Sequence, residues 1–145
     1  MVDVREVRGL SFSGSTLNVA ERALLGAAIL KKQIEENLSE VGFWGKIFGA
    51  EANYLIAVGV VQKFSGVPSK KFFYIVSGGE NPTSELAELE HKFGDLAQKD
   101  LGRQLQGVPE TPLQEESDEE GQETYTEAHL LALTVAVSDR IDVLL

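Results

Sequence analysis

The sequence predicts an α+β fold: an N-terminal amphipathic helix packed on a small antiparallel β-sheet, followed by one or two further helices and an acidic flexible loop. Three observations predict it. Apolar residues recur at three- and four-residue spacing between Asn18 and Leu38. Two runs rich in β-formers, "FWGKIF" and "NYLIAVGVV", come next, with "GAE" between them as a short hairpin connection. Helical spacing then returns in "SELAELEHKFGDLAQKDLGRQL" and in "TEAHLLALTVAVSDRIDVLL".

The first helix begins with a capping box, Asn18 followed by Glu21, in which each side chain satisfies a free backbone N–H. From there Ala20, Ala23, Leu24, Ala27, Leu30, Ile34 and Leu38 fall on one face, which the spacing assigns to the core. Gly26 is its one soft position. In the second of the two β-rich runs, Tyr54, Ile56, Val58 and Val60 lie on one side and Leu55, Ala57, Gly59 and Val61 on the other. Apolar residues on both faces mean a strand covered on both sides. The helix covers one; the other needs a further layer or a partner chain. After the "SGVPS" turn, "KKFFYIV" (70–76) reads as a third strand.

Beyond "SGGENPTS", Leu86, Leu89, Phe93 and Leu96 are helically spaced, with Ser84 or Thr83 as the cap. Residues 106–123, "QGVPETPLQEESDEEGQE", combine prolines with a dense acidic run and predict a flexible loop, because they bury too little to offset ordering entropy. A last helix starts from Thr124 or Thr126, and its tail, "IDVLL", reads as the beginning of a strand. A chain of 145 residues is about one domain long, so residues 1–145 are expected to form a single unit.

Composition narrows the function. A formal charge of −10 argues against nucleic acid and anionic membrane surfaces, which select basic faces. With no cysteine there is neither a disulfide nor a thiolate metal site. The segment "MVDVREVRGLSFSG" lacks the basic-then-apolar pattern of a secretory signal, and no run of about 18 apolar residues occurs. A soluble, intracellular protein is expected.

The glycine-rich stretch "VGFWGKIFGAEANYLIAVGVV" (41–61) invites a phosphate-binding reading, and its spacing rejects it. A P-loop needs glycine five positions before the Gly-Lys pair and Ser or Thr after it, where this chain has Glu40 and Ile47. A dinucleotide fingerprint fails too, with Phe43 and Trp44 standing where backbone must approach a pyrophosphate. The glycines suit strands: Gly45 leaves a notch beside Phe43 and Ile47 for a neighbouring aromatic ring. His91 reads as a solvated helix residue and His129 as a half-buried one with a hydrogen-bond partner. No paired metal ligands, G-x-S-x-G elbow or EF-hand loop occurs, so no catalytic, cofactor or metal residue is assigned. The lone Trp44 is read as core first and interface anchor second. Phe43, Trp44, Gly45, Ile47, Tyr54 and Ile56 are the candidates for the sheet core or a protein interface.

The segment "FWGKIFGAEANYLIAVGV" resembles the Phe/Leu-Trp-Gly-(Lys/Arg)-Ile…Gly…Asp-Tyr-Tyr-Ile segment of radial spoke head proteins, most closely the radial spoke head protein 9 family. The helix before it, and "TYTEAHLLALTVAVSDRIDV" after it, resemble that family's helices in the same order, so the likeness spans roughly residues 10–76 and 124–143. Asn53 stands where the family has Asp, and Leu55 where it has a second Tyr. The family continues through a Pro-Arg-Gly segment where this sequence stops at Leu145, the mark of a short paralogue or truncated member. The resemblance implies a non-enzymatic structural subunit of the axonemal radial spoke in motile cilia or flagella, needing no cofactor. Its implied partners are other spoke subunits, especially radial spoke head proteins of the 4/6 type. The alternative is a small cytoplasmic adaptor or scaffold domain that dimerises through its sheet.

Overall fold

The computed structural model describes residues 17–62, 68–113 and 124–144. Helix α1 (Val19–Glu36) leads into strands β1 (Glu40–Phe48), β2 (Asn53–Gln62) and β3 (Pro68–Ser77). A two-residue strand β4 (Ala87–Glu88), a short helix α2 (Gly94–Lys99) and helix α3 (Glu127–Leu144) complete the order. The strands form one antiparallel sheet in the order β1-β2-β3-β4, with α1 on one face and α2 and α3 on the other. This is the α+β architecture that the sequence predicts.

The two-faced strands explain the layering. Leu55 and Ala57 of β2 join Phe73 and Ile75 of β3 in a core under α1. Tyr54, Ile56 and Val58 join Phe72 and Val76 in a second core, closed by Leu130, Leu131 and Val135 of α3. The face that needed a further layer therefore receives it from the chain itself.

Strand β1 serves both cores by breaking its alternation. Phe43 pairs with Ala57 and Gly45 with Ile56, so Trp44 is the extra residue of a β-bulge. Strict alternation would send Phe43 and Ile47 to the same face. The bulge instead leaves Phe43 under α1, and turns both Trp44 and Ile47 to the core under α3. Gly59, farther along β2, accommodates Leu38: a Cβ there would lie 2.7 Å from Leu38 Cδ1.

The capping box forms as the sequence predicts, with Asn18 Oδ1 accepting from the Glu21 N–H at 2.8 Å. The buried face of α1 does not. Glu21, Leu25, Ala28 and Ile29 pack on the sheet, while Ala20, Ala23, Ala27, Leu30 and Ile34 face outward. Polar anchors decide the rotation. Glu21 is held inward by Lys46 of β1 at 2.9 Å, and the Lys32 ammonium lies 5.7 Å from the centre of the Phe73 ring.

Four other expectations are corrected. Residues 84–105 are not one helix: Leu86 packs under α1 and Leu89 under α3, which an extended segment crossing the sheet edge permits and a helix does not. Thr83 caps no helix. Its hydroxyl accepts from the Val76 N–H at 2.8 Å, and its own N–H donates to Val76 O, closing the edge of β3. Residues 106–113 of the predicted flexible loop are packed and hydrogen-bonded; residues 114–123 lie outside the described residues. The "IDVLL" segment begins no strand either, since α3 continues to Leu144.

Candidate functional site

The six candidate residues all sit on the β1–β2 hairpin, and the structure divides them between two cores. Phe43 is buried under α1, whereas Trp44, Tyr54 and Ile56 are buried under α3 with Ile47 packed partly against them. Gly45 is buried directly after the bulge, opposite Ile56.

Trp44 is buried in the core under α3, with 8% of its surface exposed. Its ring meets Phe72 edge-on at 6.2 Å, and its indole N–H donates to Asp139 Oδ1 of α3 at 3.2 Å. The other oxygen of Asp139 accepts from the Lys70 ammonium of β3 at 3.3 Å. The bulge thus points the only tryptophan at a carboxylate 95 positions away, and one aspartate ties β1, β3 and α3 together.

Tyr54 organises the opposite end of the sheet. Its hydroxyl donates to Glu127 Oε1 at 2.7 Å. Glu127, the first residue of α3 and only 1% exposed, also accepts from the backbone N–H groups of Gln106 and Gly107 at 2.8–3.0 Å. A carboxylate at a helix N-terminus is favoured by the helix dipole, and three donors replace its lost water. Segment 105–107 in turn grips the β1–β2 turn: Ala50 donates to Leu105 O, and Glu51 and Ala52 donate to Gln106 O, at 2.7–3.1 Å. Gly107 (φ +95°) is required there, since a Cβ would sit 2.3 Å from Ala52 O. Burial pushes the Tyr54 hydroxyl far above the usual tyrosine range, and the Glu127 carboxylate adds to the effect.

Glu127 is the residue that sequence reading missed. In an acidic chain nothing distinguishes it from 22 other carboxylates, and its partners lie 20 to 73 positions away. Thr126 just before it is one of the two helix starts that the sequence offers: its N–H donates to His129 Nδ1 at 3.1 Å. His129 is half-buried with that partner, and Phe93 meets its ring edge-on at 4.9 Å.

A third polar cluster fastens α1. Glu21 accepts from Lys46 at 2.9 Å and from the Ser77 hydroxyl at 2.6 Å, linking the helix start to β1 and β3. Burial opposes the charge on Glu21, but the bonds from Ser77, Lys46 and Asn18 and the Lys46 charge outweigh it, and the carboxyl sits below its usual range.

A cleft of about 500 Å³ opens beside the grip on the β1–β2 turn, with Glu51, Glu80, Asn81, Thr83, Pro109 and Glu110 among its walls. Among the described residues no group of three or more His, Asp or Glu is arranged to hold a metal ion, and no helix is long and apolar enough to cross a membrane. The polar clusters described above share one property: each joins segments far apart in sequence and is satisfied by them. Such an arrangement fixes a shape.

The comparison with curated proteins found no match. The comparison with protein families did: a family described as radial spokehead-like protein matches residues 4–138. That span takes in α1, the bulged tryptophan strand, the Glu127 cluster and α3 as far as Ser138. The chain belongs to the radial spokehead-like protein family.

Proposed function

We propose that this chain is a non-enzymatic structural subunit of the axonemal radial spoke, contributing to spoke assembly and through it to the regulation of ciliary or flagellar beating. The family match over residues 4–138 carries the reading, since that family is one of structural axonemal proteins. The fold supports it. A subunit that transmits force needs few soft joints, and here two buried carboxylates, Glu21 and Glu127, clamp helices to the sheet from opposite sides.

Its partners in this reading are other spoke subunits, especially radial spoke head proteins of the 4/6 type, and its place is the axoneme. A dimerising adaptor working through its sheet has less support, because α1 covers one sheet face and α2 and α3 cover the other. Deleting the gene in a motile flagellate tests the proposal. Averaged tomograms are expected to lose density in the spoke and the cells to beat abnormally; intact spokes with normal beating would refute it.

A further inference from the structure

The outward face of α1 carries a pattern that the fold does not use. Ala20, Ala23, Ala27, Leu30 and Ile34 are exposed and follow one another at intervals of three, four, three and four, the a/d spacing of a coiled-coil seam. Leu30 is 64% exposed and Ile34 81%. The opposite side of the same helix is occupied by the sheet through Leu25, Ala28 and Ile29. The helix is therefore apolar on two sides, and only one of them is covered by the described residues.

We propose that this seam pairs with the same helix of a second copy, antiparallel, to give a two-fold dimer. The order of side-chain sizes argues for a second copy. The seam is small in its first half (Ala20, Ala23, Ala27) and large in its second (Leu30, Ile34). Antiparallel pairing can set Ala23 against Ile34 of the other copy and Ala27 against Leu30, so each of these layers joins one small and one large residue, with Ala20 beside Asn37 at the ends. A parallel, in-register pair would stack alanine on alanine and leave gaps, with Leu30 and Ile34 crowding each other. The two-fold arrangement is self-complementary, as a dimer between identical chains requires.

Charge favours the same occupant at this surface. The chain carries −10 overall, yet α1 contains three acidic residues (Glu21, Glu35, Glu36) and three basic ones (Arg22, Lys31, Lys32) and is neutral. Two acidic copies meet least repulsion where the local charge cancels. The positions flanking the seam, Leu24 and Lys31 on one side and Gly26 and Gln33 on the other, bring no like charges together in the antiparallel pair. The residual repulsion between copies is screened by salt, so association should strengthen as ionic strength rises.

Sedimentation equilibrium on the full chain tests the proposal, from about 1 μM to about 500 μM and at two salt concentrations. The expected result is a shift from 15.8 kDa towards twice that mass. Leu30→Glu and Ile34→Glu should each weaken association tenfold or more while leaving the circular dichroism and melting temperature near wild type. Ala27→Leu is the sharper variant. It adds apolar surface, which would strengthen a merely sticky patch, but it overfills the layer with Leu30 and should weaken the dimer. The chain has no native cysteine, so Ala23→Cys mixed with Ile34→Cys should form the mixed disulfide in preference to either homodimer. A monomer throughout the concentration range, a gain of association in Ala27→Leu, or crosslinking of Ala23→Cys to itself would each overturn the inference. So would capture of another spoke subunit on this face without self-association.

Discussion

Tyr54 and Glu127 are 73 positions apart and share a 2.7 Å hydrogen bond between buried groups. The bond joins β2, an inner strand of the sheet, to the start of α3, and the same carboxylate holds the 105–107 segment against the β1–β2 turn. Replacing Glu127 by alanine strands the Tyr54 hydroxyl and two backbone N–H groups without water to take them. That should cost about 3 kcal/mol or more, while Tyr54→Phe, which removes one donor cleanly, should cost roughly 1.5–3 kcal/mol. Urea denaturation of both variants and the double mutant provides the check. Additive losses would mean that the two groups do not act as a unit.

Trp44 offers a second test, because the chain has no other tryptophan and its fluorescence reports this one site. Trp44→Ala should destabilise the fold by about 3–5 kcal/mol. Trp44→Phe should lose less, keeping contact with Phe72 while giving up the bond to Asp139. If Trp44→Ala folds with wild-type stability yet fails to enter spokes, the ring serves an interface rather than the core.

Much of this fold was legible in the sequence because its signals are local. The capping box of Asn18 and Glu21, the three strands and the start of α3 at Thr126 rest on neighbours within a few positions. The failures share a cause. Spacing shows that α1 has an apolar face, but distant partners decide which side turns inward: Lys46 and Ser77 draw Glu21 under, and Leu30 and Ile34 go outward with it. Leu86 and Leu89 are spaced for a helix, yet each is claimed by a different core on opposite sides of the sheet. Glu127 is invisible for the same reason, since its three donors come from Tyr54, Gln106 and Gly107.

The tyrosines predict an alkaline weakness. Burial raises all three, Tyr54, Tyr74 and Tyr125; Tyr125, bonded to Asp100 at 3.1 Å, is pushed up to about 12. In the unfolded chain they ionise near pH 10, so above that pH the unfolded state binds fewer protons than the folded one. The stabilisation is complete below about pH 10 and falls as pH climbs towards the folded values. Absorbance at about 295 nm should therefore show little tyrosinate until the fold opens, then a cooperative rise. A smooth titration centred at pH 10 in folded protein would contradict the buried positions.

Glu21 predicts the acid side. Its carboxyl is held below the usual range in the fold, so its contribution is present above the unfolded value near 4.5 and is lost as pH falls through the lower folded value. Lys46→Met should narrow the gap between the two values and flatten the loss of stability between about pH 5 and pH 3. Melting temperatures of the two proteins across that range provide the measurement. An unchanged slope would mean that the pair with Lys46 does not set the Glu21 carboxyl.

The central claim is that the chain is a spoke subunit, and biochemical fractionation reaches it most directly. The protein is tagged in a ciliated cell, axonemes are isolated, and spokes are extracted and separated by sedimentation. The account predicts that the tagged chain remains with the axoneme through detergent and then moves with the spoke particle. Recovery in the soluble cytoplasm of the same cells, with none in the spoke fraction, would contradict it and leave only a shared fold.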